Sequence, residues 1–223
     1  MKKNYLLSIV AAVLLVCVLF AACAKKEEEE PAEEVSYCQT QLYVGGNADY
    51  KITLTAGKSE QLFIADGKTT DVGDFVLLTV TPTSTDLMNA DLSYTLAGEN
   101  GAHSDALVKD AFGATFTSEP DLSVVGKPQS VTIKNGSAEI EIPLQDMTEG
   151  IVTPKQALYT AKEALKDKLN GDDKEREIYI RLINNAEKPE SSYFWYVAFI
   201  AAPTDYYSVV IDPASGSVVS GNL

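Results

Sequence analysis

Few residues in this chain carry side chains suited to covalent or metal chemistry. His103, the only histidine among 223 residues, lies beside Ser104 and Asp105 in "GENGAHSD". An imidazole can take a proton from a hydroxyl, and a carboxylate can hold that imidazole in place. Neighbours in sequence do not make such a set, because its members must converge in space with separate roles. A polar surface loop accounts for His103 more simply, so no catalytic residue is assigned. Asp66, Asp71 and Asp74 place three carboxylates in "DGKTTDVGD", and oxygen ligands on a loop suit Ca2+. The EF-hand spacing with its closing Glu is absent, and aspartates commonly build turns. One histidine and so few thiols make no zinc site unless carboxylates supply the rest. No metal and no cofactor is expected.

The other chemistry-bearing set is aromatic. Tyr193, Phe194, Trp195 and Tyr196 run consecutively, with Tyr206 and Tyr207 following. Successive side chains of a strand point to opposite faces. If Phe194 and Tyr196 face a core, Tyr193 and Trp195 are left outside, or the reverse. Tyr193 and Trp195 are therefore the candidate ligand contacts, for peptide or for glycan, since exposed rings serve as binding anchors. Packing between a sheet and a helix is the competing use of the same rings.

The elements that would position these residues begin after a leader. Lys2 and Lys3 precede the apolar run "LLSIVAAVLLVCVLF" at residues 6–20, and small residues follow at Ala21 and Ala22. A basic start, a short apolar core and a small-residue cut site form a secretory signal over residues 1–22. The "FAAC" at residues 20–23 resembles the lipobox of bacterial lipoproteins, with Phe20 where Leu is usual. That resemblance implies cleavage before Cys23, a thioether diacylglycerol on its sulfur and an acylated new N-terminus. The expected address is the bacterial cell envelope, lipid-anchored to the outer face of the membrane or in an outer membrane. Residues 23–34 read as an acidic disordered tether, with two lysines, six glutamates, one proline and nothing to bury. If Cys23 is acylated, Cys38 has no partner within the mature chain and reads as a small buried residue.

Composition excludes one class of partner. Without Lys2 and Lys3 the chain keeps 16 basic and 32 acidic residues, a formal charge of −16. The only arginines are Arg176 and Arg181. Nucleic acids are held by clustered basic residues, and none cluster here.

Residues 35–150 alternate with a period of two. Tyr50, Ile52 and Leu54 alternate with Lys51, Thr53 and Thr55, and Leu92, Tyr94 and Leu96 with Ser93 and Thr95. "FVLLTVT" at residues 75–81 is apolar on both faces, as a central strand would be. Glycine-bearing turns separate these runs, the pattern of an antiparallel β-sandwich. Residues 130–144, "SVTIKNGSAEIEIPL", read as a hairpin turning at Asn135-Gly136, with Pro143 marking an edge strand. This closing hairpin resembles the last strands of bacterial immunoglobulin-like domains.

From Thr153 the period changes. Thr153 can cap a helix, Pro154 suits its first position and Gln156 completes a capping box. Leu158, Ala161, Leu165 and Leu169 form one apolar stripe, which Asn170-Gly171 would end with a left-handed glycine. Strand patterns follow at "YFWYVAFIA" and "YYSVVID"; residues 175–185 alternate like a strand but also suit a helix. "QALYTAKEAL", "WYVAF" and "YYSVVIDPASGSVV" resemble the PepSY domain, a helix followed by a β-meander that accompanies secreted peptidases. The resemblance implies a protein-contacting module without catalytic residues.

The sequence therefore predicts a mainly β plus α+β chain: an Ig-like β-sandwich at 35–150, then a PepSY-like unit of one helix and a small antiparallel sheet at 151–223. The expected activity is non-catalytic binding of a protein or peptide partner, with modulation of an envelope peptidase as one form of it. A cell-wall or glycan-binding module is the first alternative, and an extracytoplasmic hydrolase, using His103 or a carboxylate pair, the second.

Overall fold

The computed structural model describes residues 35–111, 113–171, 173–185 and 192–221. The leader, Cys23 and the acidic tether lie outside them. The described chain is β-rich and contains two sheets. Its strands are β1 (Val35–Gly46), β2 (Tyr50–Glu60), β3 (Val72–Pro82), β4 (Leu92–Gly98), β5 (Ala102–Ala106), β6 (Val108–Lys109) and β7 (Phe116–Ser118). After a single turn of helix, α1 (Leu122–Val125), come β8 (Pro128–Asn135), β9 (Ala138–Pro143) and β10 (Gln145–Asp146). Helices α2 (Pro154–Ala164) and α3 (Lys166–Asn170) lead into the meander β11 (Glu177–Asn184), β12 (Tyr193–Ala202), β13 (Asp205–Ile211) and β14 (Val218–Gly221).

The larger sheet runs β14-β13-β12-β11-β1-β2-β3-β7-β6, with β10 also paired to β1; the smaller runs β5-β4-β8-β9. Tyr50, Ile52, Leu54, Leu78 and Val80 of the large sheet meet Leu92, Tyr94, Leu96, Val131, Ile133 and Ile142 of the small one. Each such side chain, once fully buried, contributes about 1.5–3 kcal/mol. The alternation in β2 and β4 thus places one face of each strand in a sandwich core. β3 differs from its expected role as a strand buried on both faces, because Leu77 on its outer side is 38% exposed. The hairpin at residues 130–144 forms, and β9, which carries Pro143, is an edge. Its turn lies one residue later than expected. Asn135 pairs with Ala138 on one side and Leu92 on the other. That places Asn135 in the ladder and leaves Gly136 (φ 59) and Ser137 as the loop.

The second core lies under the helix. Ala157, Leu158, Ala161 and Leu165 pack on Ile178, Ile180, Trp195, Val197, Phe199, Val209 and Ile211. The capping box is present: Gln156 N–H donates to Thr153 Oγ1 and Thr153 N–H to Gln156 Oε1, at 3.3 and 2.8 Å. The helix breaks at Leu165 and resumes as α3, and Gly171 ends it at φ −88 rather than in the left-handed conformation. Residues 177–184 form a strand, so their period of two overrides their helical tolerance.

One strand joins the two cores. β1 sends Cys38 and Leu42 into the helix core and Tyr43 into the sandwich core. It pairs antiparallel with β2 and parallel with β11, so residues 35–150 and 151–223 share a single sheet. No helix among the described residues is long and apolar enough to cross a membrane.

Candidate functional site

β1 does not stay beside β11 for its whole length. The parallel pairing covers Val35 with Ile178, Tyr37 with Tyr179 and Cys38 with Ile180. A bulge at Gln39–Gln41 then turns β1 away, and its far end takes β10 as partner, Tyr43 with Asp146 and Val44 with Gln145. Where the strands part, the buried Gln39 side chain accepts the Leu182 N–H at 3.2 Å. This satisfies one β11 donor that β1 no longer reaches. Beyond that point the sheet is a fork.

The open end of the fork holds a cleft of about 590 Å3. Val44, Gly45, Gly46 and Thr53 come from the β1–β2 hairpin, Pro143, Leu144 and Gln145 from the β9–β10 segment, and Asn184 and Tyr193 from the β11–β12 hairpin. Lys51 is the one charged side chain among these described lining residues. Asn47 shapes the hairpin wall, its Oδ1 accepting the N–H groups of Asp49 and Tyr50 at 2.8 Å each. The lining combines amide and hydroxyl groups with apolar walls. That chemistry suits hydrogen bonding to peptide groups better than capture of a highly charged ligand.

The two aromatic contacts expected from sequence separate here. Tyr193 is half-buried, leans on the helix core and lines the cleft. Trp195 is 1% exposed, and its Nε1–H donates to the Val152 carbonyl at 2.9 Å. Of the two, only Tyr193 is placed to meet a ligand: it shares the inward phase of β12 with Trp195, Val197 and Phe199, but as the first residue of the strand it sits at the rim of the core, half-buried.

The remaining chemistry-bearing residues do not converge. His103 stands on β5 rather than in a loop, half-buried, its ring 6.1 Å from that of Tyr94. The Ser104 hydroxyl is bonded to Thr95 at 2.8 Å, and the Asp105 carboxylate accepts the Ala106 N–H at 2.7 Å. Asp66 Oδ1 accepts the Lys68 N–H within a turn, and Asp74 belongs to β3. Among the described residues no group of three or more His, Cys, Asp or Glu is placed to hold a metal ion. Cys38 is buried, and burial pushes its thiol up to about 11, against a smaller downward pull from Lys58. Both arginines lie over aromatic rings: Arg176 over Tyr207, at 4.4 Å, while bonded to Asp205, and Arg181 over Tyr179 at 5.7 Å.

Sequence reasoning names Tyr193, which lines the cleft, but not the fork that forms it. The parallel β1–β11 pair comes from contacts some 140 residues apart in the chain, as with Gln39 and Leu182, while the β1 bulge forms against Gly57 and Ala56 of β2. No protein-family model, curated protein or solved structure matches the chain.

Proposed function

We propose that this chain is a lipid-anchored extracytoplasmic protein of the bacterial cell envelope that binds an extended segment of a protein or peptide partner without catalysing a reaction. The fork cleft is the observation that carries the reading. It is lined by amide, hydroxyl and apolar groups, with Tyr193 at its side. Among its described lining residues the ionisable side chains are Lys51 and Tyr193, a poor set for acid–base chemistry and an adequate one for recognition. The cleft also lies at the far end of β1 from Val35, roughly 36 Å away at 3.3 Å per residue. A helix packed on the antiparallel β11–β14 meander is the layout that a PepSY-like unit would need, and two packed sheets are that of an Ig-like sandwich. These are the finer parts of the proposal.

Selection of displayed random peptides against the full chain tests the cleft. Enriched peptides should bind Tyr193→Ala and Gln145→Ala variants about tenfold more weakly, as for loss of one good contact. Equal binding by wild type and variants would place the peptide site elsewhere. Retention on purified peptidoglycan with no peptide enrichment would favour a glycan-binding module instead.

The anchor has its own test. Cys23→Ala should release the protein from membranes or leave an unprocessed precursor, read by fractionation and by the mass of the N-terminal fragment. Normal processing with full membrane retention would rule the lipid out.

A further inference from the structure

We infer that residues 61–71, the loop between β2 and β3, form an apolar wedge that enters the bilayer interface beneath the anchored protein. The inference rests on the Cys23 anchor proposed above and adds a second point of membrane contact. Leu62, Phe63 and Ile64 are consecutive and 79%, 41% and 62% exposed. Three large apolar side chains displayed together on a short loop mark a contact surface.

The display is built into the fold. The Thr70 N–H donates to the buried Glu60 carboxylate at 2.7 Å, and Ser36 Oγ shares a 2.9 Å hydrogen bond with Thr69 Oγ1. Gly67 holds φ 83 with its Cα against the neighbouring strand ends; a Cβ there would lie 2.8 Å from the Glu175 carbonyl oxygen. The Phe63 ring packs 5.4 Å from that of Tyr179. These contacts fix the base of the loop and one side of the Phe63 ring, and leave Leu62, Ile64 and the rest of Phe63 exposed as the apolar tip.

The position of the loop selects the occupant. Ser36 is the second residue of β1, so the loop is fastened beside the start of that strand, on the side of the chain that leads back to Cys23. The eleven residues between Cys23 and Val35 can reach at most about 40 Å even at full extension. A lipid on Cys23 therefore holds this end of the sheet close to the bilayer. Tethering raises the effective concentration of the surface, so contacts too weak to recruit a free protein suffice here. Charge argues against an electrostatic footing. Asp66, Asp71 and Asp74 flank the tip against Lys68 alone, so the contact is apolar and suits zwitterionic lipid.

The test uses the full chain, purified from membranes and placed in phosphatidylcholine vesicles with or without bromine on the acyl chains. A Phe63→Trp variant adds a reporter at the tip, while Trp195 stays enclosed. Brominated lipid should reduce the added fluorescence about twofold, as for a ring at the headgroup–acyl boundary. Wild-type emission should stay constant, and Leu62→Ser with Ile64→Ser should abolish the quenching. Mass spectrometry of the same sample reports the Cys23 acyl group independently. An acylated Phe63→Trp protein without quenching overturns the wedge and leaves the anchor standing. Quenching without an acyl group supports the wedge and removes the anchor; neither signal removes both.

Discussion

Trp195→Ala should lower the stability of the chain by about 3–5 kcal/mol, the range for truncating a large buried aromatic, and should do so in one transition. The ring is 1% exposed and sits where the helix stripe meets β12. Its Nε1–H bond to the Val152 carbonyl also fixes the segment that leads into the Thr153 cap. Removing the indole therefore opens a cavity and leaves an acceptor without its partner. Trp195→Phe keeps most of the volume and should cost less, with loss of the hydrogen bond at about 1 kcal/mol. The unity of the transition follows from β1. It supplies Cys38 and Leu42 to one core and Tyr43 to the other, and its two edges pair with β2 and β11. Melting the helix core strips β1 of a neighbour that the sandwich needs. Far-ultraviolet circular dichroism of the helix and near-ultraviolet signals of the sandwich tyrosines should move together in denaturant. Two separated midpoints, with the sandwich unaffected by Trp195→Ala, would show that the halves fold independently.

The features readable from sequence were those that depend on near neighbours. Thr153, Pro154 and Gln156 announce a helix start because all the capping partners lie within three residues. Tyr50, Ile52 and Leu54 announce a half-buried strand because period two is a local property. The misplaced features depend on distant partners. The 130–144 turn moved by one residue because β4 pairs with Asn135. The 177–184 segment became a strand because β1 and β12 flank it. Trp195 went inside because one phase of β12 had to cover the helix core, and alternation alone does not say which. The fork cleft was invisible for the same reason: it exists where a strand from each end of the chain pairs for three residues and then parts. Reading Leu62, Phe63 and Ile64 as a surface needed the fold as well, since an apolar triplet in sequence more often belongs to a core.

Glu177→Gln should stabilise the protein near neutral pH, because it removes the cost of ionising a buried carboxyl, and should change little at about pH 4. Glu177 is 1% exposed at the start of β11, and neither of its carboxylate oxygens makes a hydrogen bond of normal geometry. Burial pushes its carboxyl above the ordinary glutamate range, with Glu60 and Asp66 adding to the shift; the nearby Ser36 hydroxyl and Gly67 N–H oppose it. A raised folded-state value fixes the sign. Below the ordinary glutamate value both folded and unfolded chains hold the proton, and stability is complete. As pH rises past that value the unfolded chain ionises freely while the folded chain keeps its proton. Stability then drains away until pH reaches the raised folded value, and is level beyond it. Glutamine removes that slope because it never ionises. Denaturant midpoints for wild type and Glu177→Gln should coincide at about pH 4 and diverge through the window above the ordinary glutamate value; parallel curves across it would mean the carboxylate is solvated. The location gives the effect its consequence. Glu177 lies beside Ser36, Gly67 and Glu60, the residues that seat the 61–71 loop and the start of β1. Ionisation therefore weakens the chain at the end where the tether enters.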